Sequence, residues 1–228
     1  IQTNKPDEAL GLISTNFYDN PSDKMKIIGV TGTNGKTTTA TLLYQIFREL
    51  GYKVGLVSTI QKFVDDKEIK VELTTPDAAS LNKLFYEMVQ AGCEYCFMEV
   101  SSHAVIQNRI KGVKFYGGIF SNITQDHLDF HKTFAEYLKA KKLFFDRLDK
   151  EAFALTNLDD KNGSVMIQNC KARKFTYALK TLADFKTKII ESLFSGTLLN
   201  INDTEVWTRF IGKFNAYNLT AVYATAMI

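Results

Sequence analysis

The segment Gly32-Thr33-Asn34-Gly35-Lys36-Thr37-Thr38 limits what this chain can fold into more than any other. Before it runs Lys26-Ile27-Ile28-Gly29-Val30-Thr31, a compact apolar stretch that reads as a buried strand. After it, residues 36–50 read as a helix stopped by Gly51, and residues 53–58 as a second strand. Strand, helix and strand within about 30 residues make a βαβ unit, which requires a parallel sheet. A glycine turn between strand and helix gathers backbone N–H groups beside the partial positive charge of a helix amino end, and that pairing holds phosphate. Lys36 adds a point charge for the β- and γ-phosphates, and the Thr37 hydroxyl is a ligand for Mg²⁺. The strict pattern G-x-x-x-x-G-K-[ST] is not met, because position 30 is Val30. G-x-G-x-x-G is absent too, so a nucleoside triphosphate with metal fits better than a dinucleotide.

The rest of the chain continues the alternation. Residues 61–73 alternate polar and apolar around Asp65-Asp66-Lys67, as a projecting hairpin would. Helices are predicted over 77–91, 102–110, 134–148 and 215–227, and strands over 95–100, 115–123 and 152–158. Residues 184–211 read as an antiparallel β-meander. The fold class expected is therefore α/β: a mainly parallel sheet flanked by helices, with a small accessory meander. Residues 1–25 read as a lead-in with one short helix, and 26–228 as the domain proper. Lacking an initiator Met, the chain reads as a piece of a longer protein.

Lys and Arg number 28 against 25 Asp and Glu, a net charge of +3 that gives no argument for nucleic acid. No apolar run approaches the ~18 residues of a membrane span, and no signal peptide opens the chain. Three cysteines cannot pair fully, so a reducing cytoplasm fits best. Cys93-Glu94-Tyr95-Cys96 enters a strand rather than a helix, and with Cys170 alone all three cysteines read as structural.

Five further blocks follow the phosphate loop in order: Thr74-Thr75-Pro76-Asp77; Glu99-Val100-Ser101-Ser102-His103; Asn122-Ile123-Thr124-Gln125-Asp126-His127-Leu128-Asp129-Phe130-His131; Tyr137-Leu138-Lys139-Ala140-Lys141; and Gly212-Lys213-Phe214-Asn215-Ala216-Tyr217-Asn218. Together with the loop they resemble the central ATPase domain of the Mur ligases, of the MurE or tripeptide-synthetase type. The resemblance covers about residues 25–228. It implies a P-loop-like domain, with residues 1–25 as the tail of an N-terminal domain that binds the uridine nucleotide, and with a C-terminal domain that selects the incoming amino acid. The reaction it implies is ATP-dependent amide formation in peptidoglycan precursor synthesis. The D-glutamate carboxylate of UDP-MurNAc-L-Ala-D-Glu is phosphorylated, and a diamino acid then displaces phosphate, with meso-2,6-diaminopimelate ahead of L-lysine. ATP and Mg²⁺ are the cofactors implied, and a monomer is expected.

The resemblance also distributes roles. Gly32, Thr33, Asn34, Gly35, Lys36, Thr37 and Thr38 bind ATP, joined by Asn215 and Asn218 near the adenine. Thr37 and Glu99 hold Mg²⁺ on the phosphates, and Glu99 also makes sense at the end of an apolar strand, where ligands bind in α/β sheets. His127 serves a second Mg²⁺. His127 and His131 stand at i and i+4, a zinc spacing on a helix, but no third ligand accompanies them. Lys141 is N-carbamylated in the family, which turns a cation into a carboxylate-like group. Read from the residues alone, Lys141 is a snorkelling lysine, with Lys139 and Lys142 solvated, and only the motif match reverses that reading. Thr74, Thr75, Ser101, Gln107 and Arg109 contact the muramoyl dipeptide, or else act as capping hydroxyls and surface polar groups. Two other functions compete: a folylpolyglutamate synthase-like ligase, whose loop normally reads G-T-N-G-K-G-S, and an ATP-binding module inactive in isolation.

Overall fold

A computed structural model describes residues 2–70, 75–124 and 128–228. Its central strand is β1 (Lys26–Thr31), whose side chains alternate between two apolar layers. Ile27 enters one, and Ile28 and Val30 the other. β5 (Tyr95–Glu99) and β6 (Gly117–Phe120) pair with β1 on either side, both parallel. They divide in the same way: Met98 and Phe120 go to the first layer, Phe97 and Ile119 to the second. Runs that are apolar at every position are what a parallel sheet covered on both faces requires.

β2 (Val54–Val57) continues the parallel sheet beyond β5. On the other side β7 (Phe153–Asn157), β8 (Arg173–Ala178) and β9 (Phe185–Leu193) follow β6. The hairpin of β3 (Lys62–Val64) and β4 (Lys67–Ile69) closes one edge, and β10 (Gly196–Ile201) with β11 (Thr204–Thr208) the other, all antiparallel. The strand order is β11-β10-β9-β8-β7-β6-β1-β5-β2-β3-β4.

α2 (Lys36–Glu49) and α8 (Lys213–Met227) cover the second layer through residues such as Leu43, Phe47, Ala221 and Val222. α3 (Ala78–Gln90), α4 (Ser102–Ile106) and α6 (Phe134–Asp146) cover the first. α6 buries Tyr137, Ala140, Lys141, Phe144 and Phe145, the i, i+3, i+4, i+7, i+8 stripe of a helix lying on a sheet. Its amino end is set by Thr133, whose hydroxyl accepts the Glu136 amide, as Asp77 caps α3. In the lead-in, α1 (Pro6–Phe17) packs on α3. Among the described residues no helix is long and apolar enough to cross a membrane.

Four differences from the sequence expectation have local causes. β8 was not predicted, because only its last two residues, Tyr177 and Ala178, are buried. The meander is not a separate appendage, since β9 starts as a parallel neighbour of β8. The strand expected over 115–123 ends at Phe120, because the next residues turn away to bind the phosphate loop, with Thr33 N–H donating to the Asn122 carbonyl at 2.8 Å. The helix over 102–110 stops at Ile106, because Asn108 takes a left-handed φ of +52° and the chain turns there. Residues 71–73 of the expected hairpin lie outside the described residues. All three cysteines are buried and unpaired.

Candidate active site

The loops after β1, β2, β5 and β6 meet at the carboxyl edge of the sheet, around the strands where the chain reverses its order, the place where open α/β sheets bind ligands. Gly35 has φ +88° and Gly32 φ +152°. A Cβ on Gly35 would run into the Asn218 carboxamide oxygen, and one on Gly32 into the Ser121 hydroxyl. The loop is held from behind by residues after β6. Asn34 N–H donates to Asn122 Oδ1 at 3.0 Å, Asn122 Nδ2 donates to the Asn34 carbonyl at 3.0 Å, and Ser121 Oγ donates to the same carbonyl at 2.6 Å. Among the described residues no side-chain cap bond closes the amino end of α2, whose N-cap is Gly35, so its first-turn amides can face an anion.

Two cations converge on this loop. Lys36 Nζ donates to the Gly32 and Thr33 carbonyls at 2.9 and 2.8 Å. Lys141 Nζ, 1% exposed on α6, donates to the same Gly32 carbonyl at 2.9 Å and lies 4.6 Å from the centre of the Tyr137 ring. The Tyr137 hydroxyl is in turn 3.2 Å from Thr33 Oγ1. Lys141 is therefore buried rather than snorkelling, and the apolar side of α6 delivers it to the phosphate loop. Of its neighbours, Lys142 is not solvated as expected: it is 14% exposed and paired with Asp146 at 2.6 Å, one turn along the helix.

Glu99, fully buried at the end of β5, is the acidic counterpart. Its Oε1 accepts from Thr37 Oγ1 and from Thr59 N–H, both at 2.8 Å, and its Oε2 accepts from Thr59 Oγ1 at 3.0 Å. A buried carboxylate beside a threonine hydroxyl at the head of α2 is a hard oxygen donor pair, which fits Mg²⁺. Among the described residues no three His, Cys, Asp or Glu side chains converge. His127 and Thr74 lie outside the described residues.

A cleft of about 540 Å³ opens beside these groups, lined by Lys36, Thr37, Glu99, Ser101, Arg109 and Lys141 among others. Thr75 hangs over β5, its hydroxyl donating to the Glu99 carbonyl at 3.1 Å, and Arg109 Nη1 donates to the Thr75 carbonyl at 2.8 Å. Ser101 Oγ caps α4 through the Ala104 amide at 3.1 Å. Gln107 is the C-cap of α4, is exposed and does not line the cleft. His131 is buried. It is 5% exposed on α5 (Leu128–His131), with Nε2 2.8 Å from Ser102 Oγ. A groove of similar size, about 500 Å³, opens at the opposite edge beside Met25 and Tyr116, but no glycine loop lines it.

Asn218, on α8, reaches Gly35, and its Nδ2 donates to Asn215 Oδ1 at 3.4 Å. Gly212 stands at the N-cap of α8, and Asn215 Nδ2 donates to the Ile211 carbonyl at 2.9 Å. The reading of the sequence missed Thr59, which supplies two donors to Glu99, its N–H and its hydroxyl. Its signal was position alone: it lies just past the carboxyl end of β2, on the edge where the other loops meet.

Comparison with known proteins agrees with this geometry. Residues 30–226 match the model of the Mur ligase middle domain. The chain is 60% identical over all 228 residues to a UDP-N-acetylmuramoyl-L-alanyl-D-glutamate–2,6-diaminopimelate ligase of Cytophaga hutchinsonii, and 58% identical to one of Phocaeicola vulgatus. In each case it covers 47% of the relative, so it spans about half the length of the curated proteins it matches. A solved structure of a ligase of the same name superposes with a TM-score of 0.82 at 25% identity, over 96% of this chain and 47% of that one. With the phosphate loop, the strand-end carboxylate and the buried lysine in one cleft, and with a family match across most of its length, the chain belongs to the Mur ligase family and carries its middle domain.

Proposed function

We propose that this chain is the nucleotide-binding and acyl-activating part of an ATP-dependent amide ligase of peptidoglycan precursor synthesis. Its substrates are ATP, UDP-MurNAc-L-Ala-D-Glu and a diamino acid, meso-2,6-diaminopimelate in the first instance. The observation that carries this is the meeting of four groups in one cleft: Lys36 and Lys141 on the Gly32 carbonyl, and Thr37 on Glu99. The names of its relatives supply the substrates.

Two anions must approach each other: the D-glutamate carboxylate and the triphosphate. The loop amides and Lys36 take the β- and γ-phosphates, and Lys36 leaves its loop carbonyls to do so. A carboxylate oxygen attacks the γ-phosphorus, the bond to the β,γ-bridging oxygen breaks, and ADP leaves. The amine nitrogen then attacks the acyl carbon, inorganic phosphate departs, and the nitrogen loses a proton. Thr37 and Glu99 would hold Mg²⁺ on the phosphates and His127 would serve a second Mg²⁺, ions that would neutralise phosphate charge when bound. We further propose that Lys141 is N-carbamylated in the working enzyme. An ammonium there repels a divalent cation, whereas a carbamate oxygen attracts one. Arg109, Thr75 and Ser101 would position the acyl substrate, Arg109 by its planar fork. Asn215 and Asn218 would lie against the nucleoside.

We propose that the amine is held outside these 228 residues, so that the chain alone binds nucleotide without forming amide. The test is phosphate release by the full-length protein supplied with ATP, Mg²⁺, UDP-MurNAc-L-Ala-D-Glu and diaminopimelate. Release that depends on both the dipeptide and the diamino acid is expected. Release unaffected by either would refute the ligase reading.

A further inference from the structure

One acidic dipeptide outside the cleft reaches both sides of the phosphate loop. Asp159 and Asp160 follow β7, and neither belongs to a block singled out from the sequence. Asp159 accepts four hydrogen bonds: Oδ2 from the Leu179 and Lys180 amides and from the Tyr217 hydroxyl, and Oδ1 from the Thr181 amide, each at 2.8 Å. Three consecutive amides of the loop after β8 thus form a nest that fixes the carboxylate. Its remaining partner, Tyr217, is on α8, one residue before Asn218. Asp160 works toward the other side. Its Oδ2 accepts the Ile123 amide at 2.8 Å, next to Asn122, which clasps Asn34 of the phosphate loop.

Two routes therefore run from one dipeptide to one loop. The first passes from Asp160 through Ile123 and Asn122 to Asn34. The second passes from Asp159 through Tyr217 and α8 to Asn218, whose carboxamide packs on Gly35. We propose that Tyr217 and Asp159 are positioning residues for the nucleotide: their hydrogen bond sets the depth of α8 so that Asn218 packs against Gly35 and closes that side of the phosphate loop. The pair is built to persist. Burial and then the bond to Asp159 push the Tyr217 phenol well above its ordinary range. At Asp159 burial acts upward, but the Thr181, Tyr217 and Lys180 donors outweigh it and hold the carboxyl well below the usual range. Asp159 thus stays an acceptor and Tyr217 a donor throughout the working pH range.

The proposal rests on the nucleotide reading above, and the test separates the two. Mg-ATP binding is titrated by calorimetry for the parent, Tyr217→Phe, Asn218→Ala and the double variant. Tyr217→Phe keeps the ring and leaves the three amide bonds of Asp159 in place, so folding is retained and checked by melting. It should weaken Mg-ATP about three- to tenfold, the range for residues that act on a site without touching the ligand. In the Asn218→Ala background the same change should have less than about a 1.5-fold effect, because its route is already cut. A purely structural role would lower the melting temperature and leave affinity unchanged. Parental affinity in Tyr217→Phe, or effects that multiply independently in the double variant, would overturn the proposal alone. No Mg-ATP binding by the parent would overturn the nucleotide reading, and the proposal with it.

Discussion

Glu99→Gln separates folding from metal binding at one buried atom pair. Glu99 is fully buried and takes donors from Thr37 and Thr59 only through its oxygens. Glutamine keeps one oxygen for Thr37 Oγ1 and Thr59 N–H, and its NH₂ can donate to Thr59 Oγ1, which rotates to accept. The three contacts survive, and a buried negative charge is removed. Without ligand the variant should melt at or slightly above the parent, since taking an ionised group out of a buried site relieves its desolvation cost. With Mg-ATP the order reverses. Stripping one partner from a buried ion pair costs about 3 kcal/mol, which is about a hundredfold in Kd. At a Mg-ATP concentration about 100 times the parental Kd, the parent gains about 2.7 kcal/mol, or about 5–10 °C for a domain of this size. The variant, then near its own Kd, gains about 0.4 kcal/mol and about 1 °C. Differential scanning fluorimetry with and without Mg-ATP reads both effects. A ligand-free variant that melts 10 °C below the parent, or an equal Mg-ATP shift in both proteins, would refute the assignment of Glu99.

Three other outcomes follow from the same contacts. Lys141→Ala in the full-length enzyme should lower kcat at least about tenfold while leaving a cooperative melt, and acetate should restore part of the rate in steady-state assays; parental turnover would remove the carbamate. The Cys93, Cys96 and Cys170 thiols are pushed up by burial, so a thiol reagent at pH 8 should label them only after denaturant is added, and fast labelling of the native protein would contradict their packing. Asp159 has its folded pKa depressed, so its stabilisation is present above the ordinary carboxyl range near about 4 and is lost as pH falls below that toward the folded value. The stability gap between parent and Asp159→Asn should therefore be constant from pH 7 to 5 and shrink below about pH 4, as read from thermal melts.

The central strands and the phosphate loop were legible because each carried a dense local signal: the unbroken apolar runs of β1 and β5, and the glycines and Lys36 between β1 and α2. Lys141 was visible through the period of α6, which puts it between Tyr137 and Phe144 on the buried stripe. The contacts that complete the site were not. Thr59 reaches Glu99 across 40 residues and Asn122 reaches Asn34 across 88, and an isolated threonine or asparagine carries no pattern that announces such a partner. β8 escaped notice because it opens on the exposed Arg173 and Lys174, and its alternation offers only Phe175 and Tyr177 as apolar positions. Asp159 carries no such pattern either, as its partners come from a loop and a helix that only the folded sheet brings near. The burial of His131 against Ser102 is likewise a tertiary fact, set by α5 packing on α6.

The assignment of the 32–38 loop to a triphosphate is tested most directly by titrating Mg-ATP into the parent and Lys36→Ala by calorimetry. Lys36 hydrogen-bonds the Gly32 and Thr33 carbonyls, whereas Asn122 and Ser121 clasp the loop at Asn34, so its removal leaves that clasp in place. The parent should bind in the presence of Mg²⁺, and Lys36→Ala should bind about 30- to 1000-fold more weakly, the cost of about 2–4 kcal/mol for losing a buried charge-assisted partner. Equal affinity in the two proteins, with both folded, would contradict the assignment.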